Sequence, residues 1–203
     1  MARTWATHEM EEAARLEGFA VVAGMDEVGR GPLAGPISVG LVILPEGFAE
    51  PVVDSKLLSA KQRAEKAIAI RAAAEWFCVE HVEPDFIDKY GVTASLQEAA
   101  RRILAKADMP PGLVLLDGKH NFLHDITPAH TVIKGDIVCA SIAAASILAK
   151  EERDELMREY ALQYPEYGFE THVGYGTPRH IVALKKYGTT PIHRQSFLRK
   201  ILL

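Results

Sequence analysis

The sequence predicts one α/β domain built on a sheet that mixes antiparallel and parallel strands. Two β-rich apolar runs, at about 19–25 and 37–44, are joined by a short connector rich in glycine and proline, so they pair most simply as an antiparallel hairpin. Beyond this hairpin, helical and strand-like segments alternate, which is typical of α/β folds. Hydrophobic residues occupy 48% of the 203 positions, which is enough to bury a core without disulfides or structural metals.

Capping residues, breakers and periodicity place the elements in order. Ser59 and Gln62 form a capping-box signature for an Ala-rich helix, and Thr93 and Ser95 are alternative N-caps for the next one. The apolar run 113–117 is typical of a strand that is buried on both faces. The predicted helices cover about 9–17, 59–74, 93–107, 137–160 and 178–187, and the predicted strands about 19–25, 37–44, 76–82, 113–117 and 131–134.

The single domain, 1–203, divides into a core at about 18–160 and a C-terminal extension at about 161–203. The extension is rich in aromatic, His, Arg and Lys residues, and it is predicted to be helical. No internal repeat, low-complexity tract or linker interrupts the chain. We therefore expect the extension to pack on the core.

Composition and charge constrain the expected cellular location of the protein and its mode of binding to nucleic acid. Cys78 and Cys139 stand alone in apolar runs, as reduced thiols in the core of a cytoplasmic protein do. Residues 1–17 lack the apolar core of a signal peptide, and no apolar run reaches the ~20 residues that span a bilayer, so we expect a soluble protein without a membrane partner. The net charge of -4 argues against coating of nucleic acid by bulk electrostatics, but it is compatible with a nuclease whose carboxylates hold metal ions.

Four carboxylates stand near the ends of predicted strands. Asp26 and Glu27 follow the first strand, Asp117 ends the run 113–117, and Asp136 lies between a strand and the long helix. Strand ends form the ligand crevice of open α/β sheets, so these side chains converge if their strands are neighbours. A set of oxygen ligands favours Mg²⁺ or Mn²⁺ over Zn²⁺, and two such ions can activate a water and stabilise a leaving oxygen during phosphodiester hydrolysis.

Each carboxylate also has a structural interpretation. Asp136 is suited to cap the following helix, Asp117 to a turn before Gly118, and the Asp26-Glu27 pair to the polar edge of a loop. Adjacent residues of a regular strand face opposite ways, so a shared site for Asp26 and Glu27 predicts a bulge or a strand exit beside them.

The glycine-rich connector formally matches a dinucleotide-binding fingerprint, from Gly29 through Arg30 and Gly31 to Ala34. That fingerprint must open a helix, whereas here the chain runs into a strand, so we reject a dinucleotide site. Two interpretations remain open. Either the glycines let backbone amides approach a nucleic-acid sugar or phosphate, or the segment is an ordinary hairpin loop.

Six ordered blocks resemble ribonuclease HII of the bacterial type. The opening block is Gly24-Met-Asp-Glu-Val-Gly-Arg-Gly-Pro-Leu-Ala-Gly-Pro36. The others are Asp54-Ser-Lys-Leu57, Leu116-Asp-Gly118, Lys134-Gly-Asp136 leading into 140–150, His172-Val-Gly-Tyr-Gly-Thr177 and His193-Arg-Gln-Ser-Phe197. The resemblance covers about 19–197.

This resemblance implies a ribonuclease H-like fold, with a mixed five-stranded sheet flanked by helices and a helical C-terminal extension. It implies an endoribonuclease that uses two divalent ions, Mn²⁺ or Mg²⁺, to hydrolyse the RNA strand of RNA/DNA hybrids. The same enzyme would incise DNA duplexes 5′ to an embedded ribonucleotide, leaving 3′-hydroxyl and 5′-phosphate ends. The implied catalytic and metal-binding residues are Asp26, Glu27, Asp117 and Asp136.

The resemblance also implies residues that bind the substrate. Gly29, Arg30 and Gly31 would contact the 2′-hydroxyl, which distinguishes RNA from DNA. Tyr175 would stack near the junction between ribonucleotide and DNA, and Lys56 would contact a phosphate. For three further residues direct substrate contact and a buried or surface role stay equally open: Ser146, Lys150 and Arg194.

Two features depart from the family pattern or extend it. Val173 stands where bacterial members often carry lysine, which predicts the loss of one phosphate contact. The segment from Gln195 to Leu202 resembles a sliding-clamp-binding peptide only loosely, because the paired aromatic residues are absent, so a terminal amphipathic helix is favoured. A monomer without accessory subunits is expected.

The rival functions are a related metal nuclease without junction specificity and a non-catalytic module that binds RNA/DNA hybrids.

Overall fold

The computed structural model describes residues 5–199 and 201, and it is organised around one mixed five-stranded sheet in the order β3-β2-β1-β4-β5. β1 pairs antiparallel with β2, and β2 with β3, whereas β4 runs parallel to both β1 and β5. The strands are β1 Val22–Val28, β2 Ile37–Ile43, β3 Trp76–Val82, β4 Leu113–Asp117 and β5 Ala129–Val132.

Helices cover both faces of the sheet and build the C-terminal extension. α3 packs against β2 and β3, and α5 against β1 and β2, with α2 beside α5. A short 3-10 turn, Ser55–Leu57, precedes α2. The helices are α1 Glu9–Leu16, α2 Ala60–Ala73, α3 Pro84–Lys106, α4 Gly135–Val138, α5 Ala140–Gln163, α6 Phe169–His172, α7 Pro178–Tyr187 and α8 Gln195–Leu198.

Several predictions from local patterns are confirmed. The β1–β2 hairpin is antiparallel, and Ser59 and Gln62 form the expected capping box at the start of α2. β3 and α7 occupy the predicted ranges, and Thr177 caps α7 ahead of Pro178. The mixed five-stranded sheet flanked by helices is also confirmed. These elements were predictable because their signals lie within a few residues of each boundary.

Other boundaries were wrong. α3 begins at Pro84, where proline suits the first turn, and it breaks at Gly91 (φ 83°), so neither Thr93 nor Ser95 is its N-cap. The helix expected at about 137–160 is divided by the extended residue Cys139 into α4 and α5. β5 lies two residues earlier than predicted, because its register is set by pairing with β4.

α5 lies directly on the sheet because small residues face it. A Cβ atom on Gly24 would lie 2.1 Å from the carbonyl carbon of Ser141, and one on Gly40 would lie 2.6 Å from the carbonyl oxygen of Ala145. The first half of α5, through Ala149, is buried as predicted. This close packing holds the helix against the end of β1, where the candidate site lies.

Within the described residues, no helix combines the length and apolar character needed to cross a membrane.

Candidate active site

The four predicted carboxylates meet at one end of the sheet. β1 and β4 are parallel neighbours, and Asp26 and Asp117 each follow the last residues of their shared register, Met25 and Leu116. Asp136 lies in the first turn of α4, and the backbone N–H of Gly135 donates to Oδ1 of Asp117 at 2.7 Å. Topology therefore brings together side chains that are 91 and 19 positions apart.

Asp26 is the most buried of these side chains, with 6% of the residue exposed. Burial and the neighbouring charge of Glu27 raise the pKa of Asp26 to about 8, against opposing stabilisation by the side chain of Ser146. Ser146 lies on α5 and also contacts Ser55, with 3.1 Å between their hydroxyl oxygens. The hydrogen bond from Ser146 thus stabilises the ionised form of Asp26.

Glu27 faces the other side of the strand. Its carboxylate accepts a hydrogen bond from Arg30 at 2.9 Å and borders a cleft of about 380 Å³. Burial raises the pKa of Glu27, while the Arg30 partner opposes that shift. The cleft is lined by Glu27, Arg30, Thr93, Leu96, Asp117, Gly118, Lys119, His120 and Phe122.

The predicted bulge at Asp26 and Glu27 is wrong, and the alternative, a strand exit, occurs only after Val28. Both residues lie inside β1, where Asp26 pairs with Gly40 and Glu27 with Val39 in unbroken register. The two carboxylates flank the end of the strand from opposite faces of the sheet. They remain close enough that the charge of Glu27 raises the pKa of Asp26, because the two residues are neighbours in sequence.

The charges of the site are balanced by local cations in this conformation. Lys56 Nζ lies 2.9 Å from Asp136 Oδ2, and Arg30 pairs with Glu27. Between residues 5 and 199, and at 201, no group of three or more His, Cys, Asp or Glu side chains is arranged to ligate a metal ion. Two of the four carboxylates, those of Asp136 and Glu27, are therefore paired with cations in this structure.

The chemistry of the donor set nevertheless suits a hard divalent cation. Burial and the charge of Asp136 raise the pKa of Asp117, as burial and Glu27 do for Asp26. A divalent cation relieves such repulsion by favouring the ionised carboxylates, and carboxylate oxygens are preferred ligands of Mg²⁺ and Mn²⁺.

Two of the predicted substrate-binding elements lie side by side. A Cβ atom on Gly31 would lie 3.9 Å from Cε1 of Tyr175, which is ordinary van der Waals contact, and Tyr175 is 44% exposed. Gly29 has a φ of 89°, a left-handed conformation that favours glycine. Arg30 lies between these glycines and pairs with Glu27, which joins the connector to the carboxylates.

The remaining residues predicted to contact the substrate differ in their solvent exposure. The side chain of Lys56 is 72% exposed and that of Lys150 is 21% exposed, with Lys150 donating to Asp154 at 2.6 Å. Arg194 is fully buried, and its guanidinium is bonded to backbone carbonyl oxygens, so it has no surface that faces a substrate. We therefore remove Arg194 from the set of direct substrate contacts.

Three buried polar residues behind the site were not predicted from the sequence. Arg153 of α5, His180 of α7 and His193 are each at most 1% exposed. Arg153 donates to the carbonyl of Pro36, His180 Nδ1 lies 3.0 Å from the carbonyl oxygen of Tyr175, and the Nε2 atoms of His180 and His193 are 3.0 Å apart. His193 had a signal, since it shares a family block with Arg194. Arg153 had none, because an arginine in the charged half of a helix is usually solvated.

Comparisons with known proteins show which family this chain resembles. The family model described as "Ribonuclease HII" matches residues 23–200. A ribonuclease HII of Pelodictyon phaeoclathratiforme is 47% identical over 184 residues, which cover 88% of this chain and 89% of that protein. Among solved structures, ribonuclease H2 from Pyrococcus horikoshii superposes with a TM-score of 0.76 at 28% identity, covering 90% of this chain and 97% of the other.

A more distant likeness supports the fold alone. Bst ribonuclease HIII in complex with Mn²⁺ has a TM-score of 0.66 at 19% identity, covering 94% of this chain and 71% of the other. The match of the family model over most of the chain and the identity to the Pelodictyon protein lead to one conclusion. The chain belongs to the ribonuclease HII family, whose members cleave the RNA of RNA/DNA hybrids, and it is a type 2 ribonuclease H.

Proposed function

We propose that this enzyme also incises duplex DNA on the 5′ side of a single embedded ribonucleotide, leaving 3′-hydroxyl and 5′-phosphate ends. The observation that carries the proposal is the proximity of Gly31 to the ring of Tyr175, next to Arg30, which pairs with the carboxylate of Glu27. A site that recognises one ribonucleotide needs both a 2′-hydroxyl contact and a reader of the adjoining deoxynucleotide.

The residues that would hold two divalent ions, Mn²⁺ or Mg²⁺, are Asp26, Glu27, Asp117 and Asp136. When bound, such ions supply Lewis-acid activation of water and stabilise the charge of the leaving 3′-oxygen. The protein contributes the anchoring of the carboxylates: Ser146 supports Asp26, and the N–H of Gly135 orients Asp117. These fixed partners restrict the ligand side chains to few rotamers.

The substrate residues have separate tasks in this proposal. The backbone at Gly29, Arg30 and Gly31 approaches the ribose 2′-hydroxyl, where a larger side chain would obstruct the sugar. Tyr175 offers its exposed ring for stacking at the junction with DNA. Ammonium groups position the phosphate backbone without reading sequence. We assign this role to Lys56, whose side chain is 72% exposed, and to the partly buried Lys150, whose ammonium donates to Asp154.

Cleavage of labelled duplexes tests the proposal. A DNA duplex with one ribonucleotide and a long RNA/DNA hybrid are each incubated with Mg²⁺, Mn²⁺ or chelator. We expect metal-dependent incision 5′ to the ribonucleotide by the wild type, and loss of cleavage in Asp136→Asn. Asp125→Asn is the matched control, because Asp125 is an exposed aspartate paired only with His124 among the ion pairs of the described residues.

The rival functions give different results in the same assay. A metal nuclease without junction specificity would cut the long hybrid and leave the single-ribonucleotide duplex intact, which would contradict the role of Tyr175. A non-catalytic binding module would retain hybrids in chelator and cut neither substrate with either metal.

We infer that the enzyme acts as a monomer and that its C-terminal segment does not recruit a sliding clamp. In the described part of that segment, Leu198 is 1% exposed and packs with Phe197 into the extension, so these apolar side chains are occupied. α8 spans only Gln195–Leu198, while Lys200 and Leu202 of the expected amphipathic helix lie outside the described residues. Light scattering with and without a purified clamp tests both points.

A further inference from the structure

Two arginines are buried with backbone carbonyls as partners. Arg153 and Arg194 are both fully buried, and none of the ion pairs formed by residues 5–199 and 201 includes either guanidinium. Taking a cation out of water without a carboxylate partner is costly unless its donors are satisfied. Nothing in the cleavage chemistry uses these two groups, so their position calls for another explanation.

Arg194 binds both ends of the glycine-rich connector, which we define as residues 29–36. Its Nη2 donates to the carbonyl of Gly29 at 2.6 Å, and its Nη1 donates to that of Arg30 at 3.1 Å. Its Nε donates to the carbonyl of Gly35 at 2.9 Å. One planar guanidinium thus fixes the curvature of the whole connector.

Arg153 joins the connector to the loop that carries Tyr175, which we call the tyrosine loop and define as residues 173–177. Its Nε donates to the carbonyl of Pro36 at 2.9 Å, and its Nη2 to that of Ala34 at 3.2 Å. Its Nη1 crosses to the tyrosine loop and donates to the carbonyl of Val173 at 3.0 Å.

The connector and the tyrosine loop also touch directly. The N–H of Leu33 donates to the carbonyl of Gly174 at 2.8 Å, and a Cβ atom on Gly174 would lie 2.2 Å from the carbonyl oxygen of Ala34. From the other side, His180 Nδ1 lies 3.0 Å from the carbonyl oxygen of Tyr175. The two segments therefore form one packed unit, which carries Gly31 and the nearby ring of Tyr175.

We propose that Arg153 and Arg194 are positioning residues for ribonucleotide selection that do not touch the substrate: Arg194 fixes the shape of the connector that carries Gly29–Gly31, and Arg153 ties that connector to the loop of Tyr175. The inference rests on the proposed function of those segments at a single ribonucleotide. A single embedded ribonucleotide can be cut only when the duplex binds in the one position that brings it to both Gly29–Gly31 and Tyr175. A long hybrid can bind productively in many positions along its length. Loosening the unit therefore weakens selection of the single ribonucleotide more than cleavage of the hybrid.

Arginine is required because of its shape. Its rigid fork of five N–H donors reaches several carbonyl groups at once, in two segments for Arg153 and at both ends of the connector for Arg194, whereas the ammonium of lysine concentrates three donors at one point. Burial and the charge of Arg153 lower the pKa of Arg194 to about 9, which still leaves it charged at neutral pH. Lysine in either position cannot reach these carbonyl groups together and loses the bridge.

The variants Arg153→Lys and Arg194→Lys test the proposal against the control Ile70→Val. Ile70 is a fully buried residue of α2 in a separate part of the core, so its shortening perturbs stability without touching the connector. For each protein the ratio of single-turnover rates on the single-ribonucleotide duplex and the long hybrid is measured. That ratio does not depend on the fraction of folded enzyme.

A second readout requires neither metal nor turnover. Hydrogen exchange followed by mass spectrometry reports the amides of Leu33 and Gly35, which are bonded to Gly174 and Ile192 in the folded protein. Faster exchange across the connector and the tyrosine loop, but not in β4, is expected for both lysine variants. Ile70→Val should leave these segments protected.

We expect the selectivity ratio to fall by about tenfold or more in both lysine variants and to stay within about twofold of wild type in Ile70→Val. An unchanged ratio with normal protection of Leu33 and Gly35 would overturn the proposal and leave the arginines as ordinary core residues. If wild type fails to incise the single-ribonucleotide duplex, the proposed function fails instead, and the exchange experiment still decides whether the arginines hold the two segments together.

Discussion

The ammonium group of Lys56 lies 2.9 Å from Oδ2 of Asp136, although 80 positions separate the two residues. Lys56 belongs to the 3-10 turn before α2, and the turn is held by the side chain of Asp54, which accepts from the N–H of Lys56. A mostly exposed cation thereby reaches the edge of the carboxylate cluster, where the phosphate backbone of a duplex would approach.

Replacing Lys56 with methionine is expected to weaken duplex binding several-fold, because one phosphate contact is lost. The slope of log affinity against log salt concentration should fall by about one, as for the removal of a single cationic contact. Fluorescence anisotropy with labelled hybrid in chelator measures both quantities. Lys61→Met is the control, since Lys61 is an exposed lysine of α2 paired with Glu65 at 4.0 Å; equal slopes in the two variants would contradict the assignment.

Asp26→Asn is expected to abolish cleavage while stabilising the metal-free protein by on the order of 1 kcal/mol. Burial, together with the charges of Glu27 and Asp117, raises the pKa of this carboxyl to about 8, so the folded protein bears the cost of keeping it protonated at neutral pH, and an amide removes that cost. The hydrogen bond from the N–H of Glu27, 2.7 Å long, can still be accepted by the amide oxygen. Urea unfolding in chelator measures stability; a less stable variant would show that the carboxyl is needed for folding.

Gly29→Ala and Gly31→Ala form a matched pair with opposite expectations for stability. At Gly29 the left-handed φ of 89° and a Cβ position 2.3 Å from Nε of Arg153 predict a loss of about 2 kcal/mol or more. At Gly31 the nearest atom, Cε1 of Tyr175, is 3.9 Å away, so folding should be nearly unaffected. Thermal and urea unfolding compare the pair, and equal losses would be inconsistent with this local geometry.

Because of His193, we expect the free energy of unfolding to decrease in acid. Burial and neighbouring His180 lower the pKa of His193 from 6.5 to about 4, so the unfolded chain binds a proton between these pH values that the folded protein excludes. Stability from neutral His193 is complete above pH 6.5 and declines as the pH falls towards 4.

The comparison with His193→Asn isolates this contribution from other titrating groups. The stability advantage of wild type over the variant should shrink by roughly 2–3 kcal/mol between pH 7 and 4.5. Urea unfolding across this range measures it, with the exposed His124→Asn as the control. An advantage that stays constant with pH would mean that His193 titrates normally.

Local sequence signals were sufficient to predict much of the secondary structure of this protein. The capping box of Ser59, the proline that opens α7 and the alternation of apolar runs predicted elements whose causes lie within a few residues. The carboxylates were predictable as a group because three apolar runs lead to acidic residues and because the family blocks contain the same positions.

Only the tertiary structure decided how those residues act together. The unbroken register of β1 placed Asp26 and Glu27 on opposite faces, since pairing with β2 continues past the end of the apolar run. The burial of Arg153 and Arg194 depended on contacts between segments more than 100 positions apart. The sequence shows which side chains lie near each turn. The charge environment of each side chain and its hydrogen-bond partners are set only when distant segments pack together.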